Sequence, residues 1–382
     1  MIGIHEPDIN KDDYRHVFAA MKSKWVSTSG HEIVKFEKKI KNFLKSKFVV
    51  CMNSGTSALH IAIKLLKPQP GDEILVPTIT FISPINAVLY NNCSPVFFDC
   101  KENLNIDENK VIEFLEKKTI SIKKKNKTFT INKSTKKRIL ALVITHVFGQ
   151  AVEISKLINI CKKKNIRIIE DAAESFGSKY YCEDFKNFYT ASISDIGCLS
   201  FNGNKIITTG SGGAVVTNNK KFYEKAKYLC SQAKNDGTKF IHHEAGYNYK
   251  MNNIQASLGI SQINRIKEIL KKKKKIIEWY LKYINKKNVV LINDLSNQSN
   301  QWLAVIKLKK KINVDFVLNF FKKKSVQVRP VWYPNHLQKY LKKYQQYKIK
   351  KAYEYKQYYC LPSSSFLKEK DIKIISSYIN GL

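Results

Sequence analysis

Along the first half of the chain, short unbroken apolar runs alternate with stretches whose apolar residues recur at helical spacing. "KFVVCMN" (47–53) is a β-branched run, and "TSALHIAIKLL" (56–66) follows it with apolar residues three and four apart. The alternation continues through "DEILVP" (72–77), a helix over 83–91, "PVFFDC" (95–100) and a polar helix near 107–117. "RILALVIT" (138–145), a helix over 153–164 and "IRIIED" (166–171) extend it. Runs that are apolar throughout suit strands buried on both faces, and this strand–helix order predicts an α/β fold with a mostly parallel sheet. The lysine-rich segment 118–137 breaks the rhythm and reads as an inserted basic loop or hairpin.

Near residue 255 the pattern changes. A helical period runs over about 255–283 and is read as a long helix that carries the chain out of the large domain. Beyond it come "QWLAVIKL" (301–308), a helix opened by Asn313 as N-cap, "VQVRPVW" (326–332) and a final helix after "LPSSSFLKEKD". The expected organisation is a large α/β domain over 1–255, then a linking helix and a small C-terminal α+β domain over 256–382.

Composition narrows the class. Of 382 residues, 43% are apolar, which suits a globular protein, yet no apolar run approaches the ~18 residues of a membrane span. "MIGIHEPDIN" has neither a basic nor an apolar leader segment, so a cytoplasmic protein without a membrane partner is expected. The eight cysteines are scattered without zinc-type spacing, which points to reduced buried thiols and to no metal site. The net charge of +36 invites a nucleic-acid reading. Against it, the lysines fall in short blocks over the whole chain, and no helix-turn-helix, zinc spacing or RNP-like strand accompanies them, so no nucleic-acid partner is expected.

Candidate chemistry gathers in three places. "NSGTSAL" (53–59) follows a strand and opens a helix, where unpaired amides and the positive helix end attract a phosphate; an ordinary capped turn would look the same. Asp171 ends the strand "IIED", the edge at which open α/β sheets hold ligands, although it could equally cap a following helix. Lys205, in "LSFNGNKIITTGSGGAV" (199–215), is surrounded by Gly203, Gly210, Gly212 and Gly213, which would let backbone approach a ligand closely, although taken alone it reads as one more surface lysine. A phosphate cradle, a carboxylate at a strand end and a loop lysine are together what pyridoxal 5′-phosphate requires.

At this point the sequence resembles the DegT/DnrJ/EryC1/StrS sugar aminotransferases. The resemblance rests on "NSGTSAL", "PTITFISPINAVLYNNCSPVFFD", "HVFGQ", "EDAAESFGS", "SFNGNKIITTGSGG" and "GYNYKMNNIQASLGISQI", in that order over nearly the whole chain. The LegC-type nucleotide-sugar aminotransferases, in which "SFNGNKIITTG" is typical, are the most similar branch. The resemblance implies a fold-type-I, pyridoxal-phosphate-dependent enzyme, a homodimer with composite active sites. Lys205 would carry the cofactor covalently. Asp171 would pair with its ring nitrogen, and Gly55, Thr56 and Ser200 would hold its phosphate. Phe81 would stack on the ring, Glu174 would lie near its hydroxyl edge, and Asn248 would reach the phosphate from the other subunit. Two positions depart from the family pattern: Lys250 stands where arginine is usual, and Ser211 interrupts the glycine run.

The resemblance further implies amino transfer from glutamate to the C4 keto group of a nucleotide-linked 4-keto-6-deoxy sugar. UDP-2-acetamido-4-keto-2,6-dideoxyglucose is the first expectation; GDP-perosamine and dTDP- or UDP-viosamine synthesis are the alternatives. Arg329, Trp332 and His336, in "VRPVWYPNHL" (328–337), are the candidate substrate contacts, and packing of the small domain would explain them as well. A regulatory or nucleic-acid-binding protein is the non-enzymatic alternative, and an intact pair of Lys205 and Asp171 argues against it.

Overall fold

In a computed structural model, which describes residues 1–124, 127–236, 238–295 and 298–382, the chain enters through helices α1 (Lys11–Lys22) and α2 (His31–Leu44). Asn10 caps α1 by accepting from the Asp12 and Asp13 amides, and Asp13 returns a bond to the Asn10 amide, which satisfies donors that a helix start leaves open. Ile33, Phe36, Ile40 and Leu44 share one face of α2, and that face is buried.

The strand–helix alternation follows. Its elements are β1 (Phe48–Met52), α3 (Gly55–Leu65), β2 (Glu73–Pro77), α4 (Ser83–Tyr90), β3 (Ser94–Phe98) and α5 (Glu108–Lys117). The basic insertion is an antiparallel hairpin of β4 (Thr119–Lys124) and β5 (Lys127–Asn132), whose residues 125 and 126 lie outside the described residues. Next are β6 (Arg138–Thr145), α6 (Ser155–Lys163), β7 (Arg167–Asp171), β8 (Ile196–Ser200), β9 (Gly213–Thr217) and α7 (Lys220–Cys230). A short hairpin, β10 (Lys234–Asp236) and β11 (Ile241–His242), precedes the next helix.

Pairing runs parallel from β3 through β2, β6 and β7 to β8; β9 then lies antiparallel between β8 and β1. The central strands are buried along their whole length, as expected of a sheet with helices on both faces. The fold class is therefore the one that the apolar runs predict.

The long helix expected over 255–283 is two helices, α8 (Asn253–Asn264) and α9 (Ile266–Tyr283). Arg265 stands at the break and bonds the Asp8 carbonyl and the Asp13 carboxylate, both at 2.8 Å. Its backbone, at φ −98° and ψ 2°, leaves helical geometry there, and the local sequence pattern does not reveal the break.

The remaining elements are β12 (Val289–Leu291), β13 (Ala304–Leu308), α10 (Val314–Lys323), β14 (Arg329–Pro330), β15 (Gln346–Tyr347), β16 (Tyr358–Leu361) and α11 (Glu369–Asn380). Strands β12, β13, β16 and β14 form an antiparallel sheet in that order. Ile276, Tyr280, Phe321 and Ile375 share its core. Of the strand expected over 326–332, Arg329–Pro330 pairs with β16, the Val331 amide adds a bond to the Tyr358 carbonyl, and Val326 bridges to Ile2 instead. Strand β15 instead pairs in parallel with β3, so segments beyond residue 255 serve both sheets.

Candidate active site

Strands β7 and β8 end side by side, with Asp171 opposite Cys198, and α3 begins against the same edge of the sheet. Ser54 caps α3: its Oγ accepts from the Ser57 amide at 3.0 Å. The amides of the first turn remain at the positive helix end. Gly55 is required here by contact. A Cβ at this position would stand 2.8 Å from the Ser200 Cβ and 3.1 Å from its hydroxyl. Only glycine lets the end of β8 lie against the start of α3, so that one hydroxyl and the helix amides face the same space.

That space is a cavity of about 290 Å³, with Gly55, Thr56, Ser200 and Phe81 on one side and Asp171, Glu174 and Lys205 on another. Arg329 and Trp332 close it from the small sheet. The amine of Lys205 lies 4.0 Å from a Glu174 carboxylate oxygen and 4.0 Å from the centre of the Trp302 ring. Burial lowers the Lys205 pKa, and the charges of Glu174 and Asp171 oppose the change without cancelling it. Burial likewise raises the Asp171 carboxyl and pushes Glu174 up to about 7. The two carboxyls and the amine are thus all moved toward neutrality, as a dry site dictates.

Asp171 does not cap a helix. Its carboxylate accepts from the Ala173 amide at 3.1 Å, and turns rather than a helix follow it. Its neighbour Glu170 points to the opposite face of the sheet, where it receives His146 Nε2 at 2.9 Å and the Tyr180 hydroxyl. His146 Nδ1 accepts from the Val152 amide at 3.1 Å, which fixes the ring with its proton on Nε2. This buried layer holds the strand end rigid beneath Asp171.

Phe148 and Gly149 adopt left-handed backbone, with φ of 54° and 86°. The turn directs the Phe148 amide to Glu174 Oε2 at 2.8 Å and lays its ring on Trp332, 4.4 Å between centroids and 10° from parallel. Left-handed backbone is uncommon for a phenylalanine, and the two contacts hold it there. Gly149 has no such latitude: a Cβ would fall 1.9 Å from the Asn300 side chain.

Two candidates lie elsewhere. His336 is fully buried outside the cavity, its Nδ1 2.6 Å from the Thr78 hydroxyl, so the packing reading accounts for it. Asn248 is exposed and lines a neighbouring open cleft of about 510 Å³, which shares Ser54 and Ser211 with the Lys205 cavity. Of the glycines around Lys205, Gly212 lines the cavity, whereas Gly203, Gly210 and Gly213 do not. Trp302 and Phe148 were not singled out by sequence reasoning. The first looks like the start of a strand, and only the left-handed turn before Gly149 gives the second its place.

The start of α3, the Ser200 hydroxyl, Asp171 and Lys205 line this one cavity, and a phosphorylated pyridine aldehyde would find there an anion site, a carboxylate and an amine. Among the described residues, no group of three or more His, Cys, Asp or Glu side chains is arranged to hold a metal ion. None of the described helices is long and apolar enough to cross a membrane.

The description "DegT/DnrJ/EryC1/StrS aminotransferase family" matches residues 7–380. The chain is 31% identical over 351 residues to the GDP-perosamine synthase of Escherichia coli O157:H7, covering 91% of this chain and 89% of that protein. It is 30% identical over 311 residues to the UDP-4-amino-4,6-dideoxy-N-acetyl-beta-L-altrosamine transaminase of Campylobacter jejuni subsp. jejuni serotype O:23/36 (strain 81-176), covering 81% of this chain and 73% of that one. Among solved structures, Helicobacter pylori PseC, an aminotransferase involved in the biosynthesis of pseudaminic acid, superposes with a TM-score of 0.86 at 24% identity, over 98% of this chain and 97% of that one.

Proposed function

Because the chain belongs to the DegT/DnrJ/EryC1/StrS aminotransferase family and its cofactor is pyridoxal 5′-phosphate, we propose that it moves an amino group from glutamate to the C4 keto carbon of a nucleotide-linked 4-keto-6-deoxy sugar. UDP-2-acetamido-4-keto-2,6-dideoxyglucose is the proposed acceptor, and the product would serve surface polysaccharide or glycan synthesis. The single observation that carries this reading is the Lys205 amine held 4.0 Å from Glu174 in a cavity that also contains Asp171 and the start of α3.

When bound, the cofactor supplies an electrophilic aldehyde carbon and a ring that accepts electrons. The chain supplies the rest. Gly55, Thr56 and Ser200 bind the phosphate with amides and a hydroxyl, and Phe81, half-exposed at the cavity mouth, covers the ring. Asp171 keeps the ring nitrogen protonated, since a buried carboxylate strongly favours a cation beside it. Lys205 would hold the cofactor and, as a free amine, would take the proton from the donor's α-carbon and return one to the sugar carbon. Its burial favours the neutral amine needed for the first step. Glu174, held in place by the Phe148 amide, would lie near the ring's hydroxyl edge. Arg329 suits the diphosphate and Trp332 the sugar face, and the likeness to enzymes named for GDP- and UDP-linked sugars supports an acceptor of this class.

The purified enzyme with glutamate should release 2-oxoglutarate when given the UDP sugar. GDP-4-keto-6-deoxymannose and dTDP-4-keto-6-deoxyglucose are the comparison arms. Release with one of those alone would move the assignment to that nucleotide, and release with none would end the sugar reading.

A further inference from the structure

The cavity contains an aromatic group that the proposed reaction has not yet used. The Trp302 ring faces the Lys205 amine at 4.0 Å from its centre. The same side chain donates from Nε1 to the carbonyl of Asn204 at 2.6 Å, one residue before Lys205. Trp302 therefore holds the lysine twice, once at its amine and once at the loop that carries it. Two further rings lie near parallel to it, Trp332 at 15° and Phe148 at 21°, so the indole has little freedom to tilt.

What fixes the Trp302 backbone is unusual. Lys273, on α9, is 1% exposed, and its amine donates to the carbonyls of Trp302 and Ser363. Among the described residues no carboxylate pairs with it. A lysine is seldom buried without an ion-pair partner. This one spends its hydrogen bonds on the segment that presents Trp302, and the Trp302 amide is held in turn by the Asn300 side chain at 3.0 Å. Burial pushes the Lys273 amine toward its neutral form, and a long side chain buried at that cost to hold one backbone turn suggests that the position of the turn matters.

We infer that Trp302 is a positioning residue for the free amine of Lys205, and that Lys273 acts through the Trp302 carbonyl to keep the indole there. The inference rests on the proposed role of Lys205 as proton carrier. In the interval when the lysine is free, its side chain could swing away over several rotatable bonds. The π face attracts the ammonium form and holds it at one place in the cavity. It also opposes burial, which favours the neutral amine, so the acid form needed for the second proton transfer stays populated. The other charged or titratable groups facing this amine are Glu174, Asp171 and His5; Arg329 shares the cavity, and Lys273 lies behind the indole.

The test reads the lysine in the full-length chain freed of cofactor, so that it succeeds or fails independently of the sugar reading. Reductive methylation of Lys205, followed by mass spectrometry of its peptide from pH 6 to pH 11, reports the midpoint at which the amine loses its proton. With Trp302→Leu the midpoint should fall by about 0.5 to 1.5 pH units, the span of a cation–π contact between exposed and desolvated limits. Trp302→Phe, which keeps a π face, should fall by less than half as much. Lys273→Met should shift it in the same direction as Trp302→Leu. In the cofactor-loaded enzyme, Trp302→Leu should lower kcat by about a hundredfold, as displaced catalytic groups do, with KM changed far less. An unchanged midpoint in folded Trp302→Leu, or equal shifts for Phe and Leu, would overturn the role of the ring. If Trp302→Leu does not fold, the Phe variant decides: a fall as large as a full cation–π loss overturns the inference, and a smaller one supports it. A Lys273→Met midpoint equal to wild type would remove Lys273 from it.

Discussion

Glu174 and Lys205 face each other across 4.0 Å in a cavity where burial has moved both toward their neutral forms. The pair is therefore poised: either group can be the charged one, and the balance follows from what else enters the cavity. That relationship sets the first two expectations.

Glu174 contributes a pH dependence of known sign. Its folded pKa, about 7, lies above the ordinary value of 4.5 because burial disfavours the carboxylate. The unfolded chain then loses this proton first as pH rises, so the stability associated with the neutral form is present below about 4.5 and is lost as pH climbs through about 7. Glu174→Gln keeps an acceptor for the Phe148 amide and removes the titration. Its melting temperature without cofactor should exceed that of wild type by more at pH 8 than at pH 5. An equal difference at both would show that Glu174 does not titrate in this window.

Lys205→Ala should lose turnover by about a thousandfold or more, since one change removes both the covalent anchor and the proton carrier. Thermal unfolding should change little, because the amine sits in a cavity and not in close-packed core. Borohydride should fix cofactor to the wild-type chain and not to the variant. Covalent fixation that survived the change would assign the anchor to another lysine.

Gly55→Ala tests the phosphate cradle. The new methyl would meet the Ser200 Cβ at 2.8 Å, so the end of β8 or the start of α3 must shift, at a cost of about 1–3 kcal/mol. Cofactor affinity, measured by fluorescence titration, should fall tenfold or more, at roughly 1.4 kcal/mol per factor of ten. A second change, Ser200→Gly, removes the clashing atoms and should restore part of the melting temperature but not the affinity. Full recovery of affinity in the double variant would exclude the Ser200 hydroxyl from phosphate binding.

Asn248 carries the proposal of a composite site in a homodimer. It is exposed, and the open cleft it lines joins the Lys205 cavity at Ser54 and Ser211, which suits a residue that works across an interface. Mixing inactive Lys205→Ala with a cofactor-poor Asn248→Ala chain should recover activity. With random exchange about half of the dimers are mixed, and one of the two sites in each is intact, so recovery should approach about a quarter of wild type. Demonstrated exchange without recovery would return Asn248 to its own subunit or remove it from the site.

The sequence by itself determined the alternation of strands and helices, the parallel sheet, and the three stretches that hold Asp171, Gly55 and Lys205. Those are local matters: a strand buried on both faces must be apolar throughout, and a strand-to-helix turn such as the one at Gly55 carries its small and hydroxyl residues in one short stretch. Tertiary structure decided the rest. Arg265 stands at a break in a helix whose local pattern is continuous, and its partners Asp8 and Asp13 lie at the other end of the chain. The sequence left His336 open between a substrate contact and packing, and only its bond to Thr78, far away in the chain, shows it buried outside the cavity. Trp302 reads as one more apolar residue at the head of a strand. Its ring meets the Lys205 amine and its carbonyl meets the Lys273 amine, and no periodicity or spacing records contacts made across such distances in the chain.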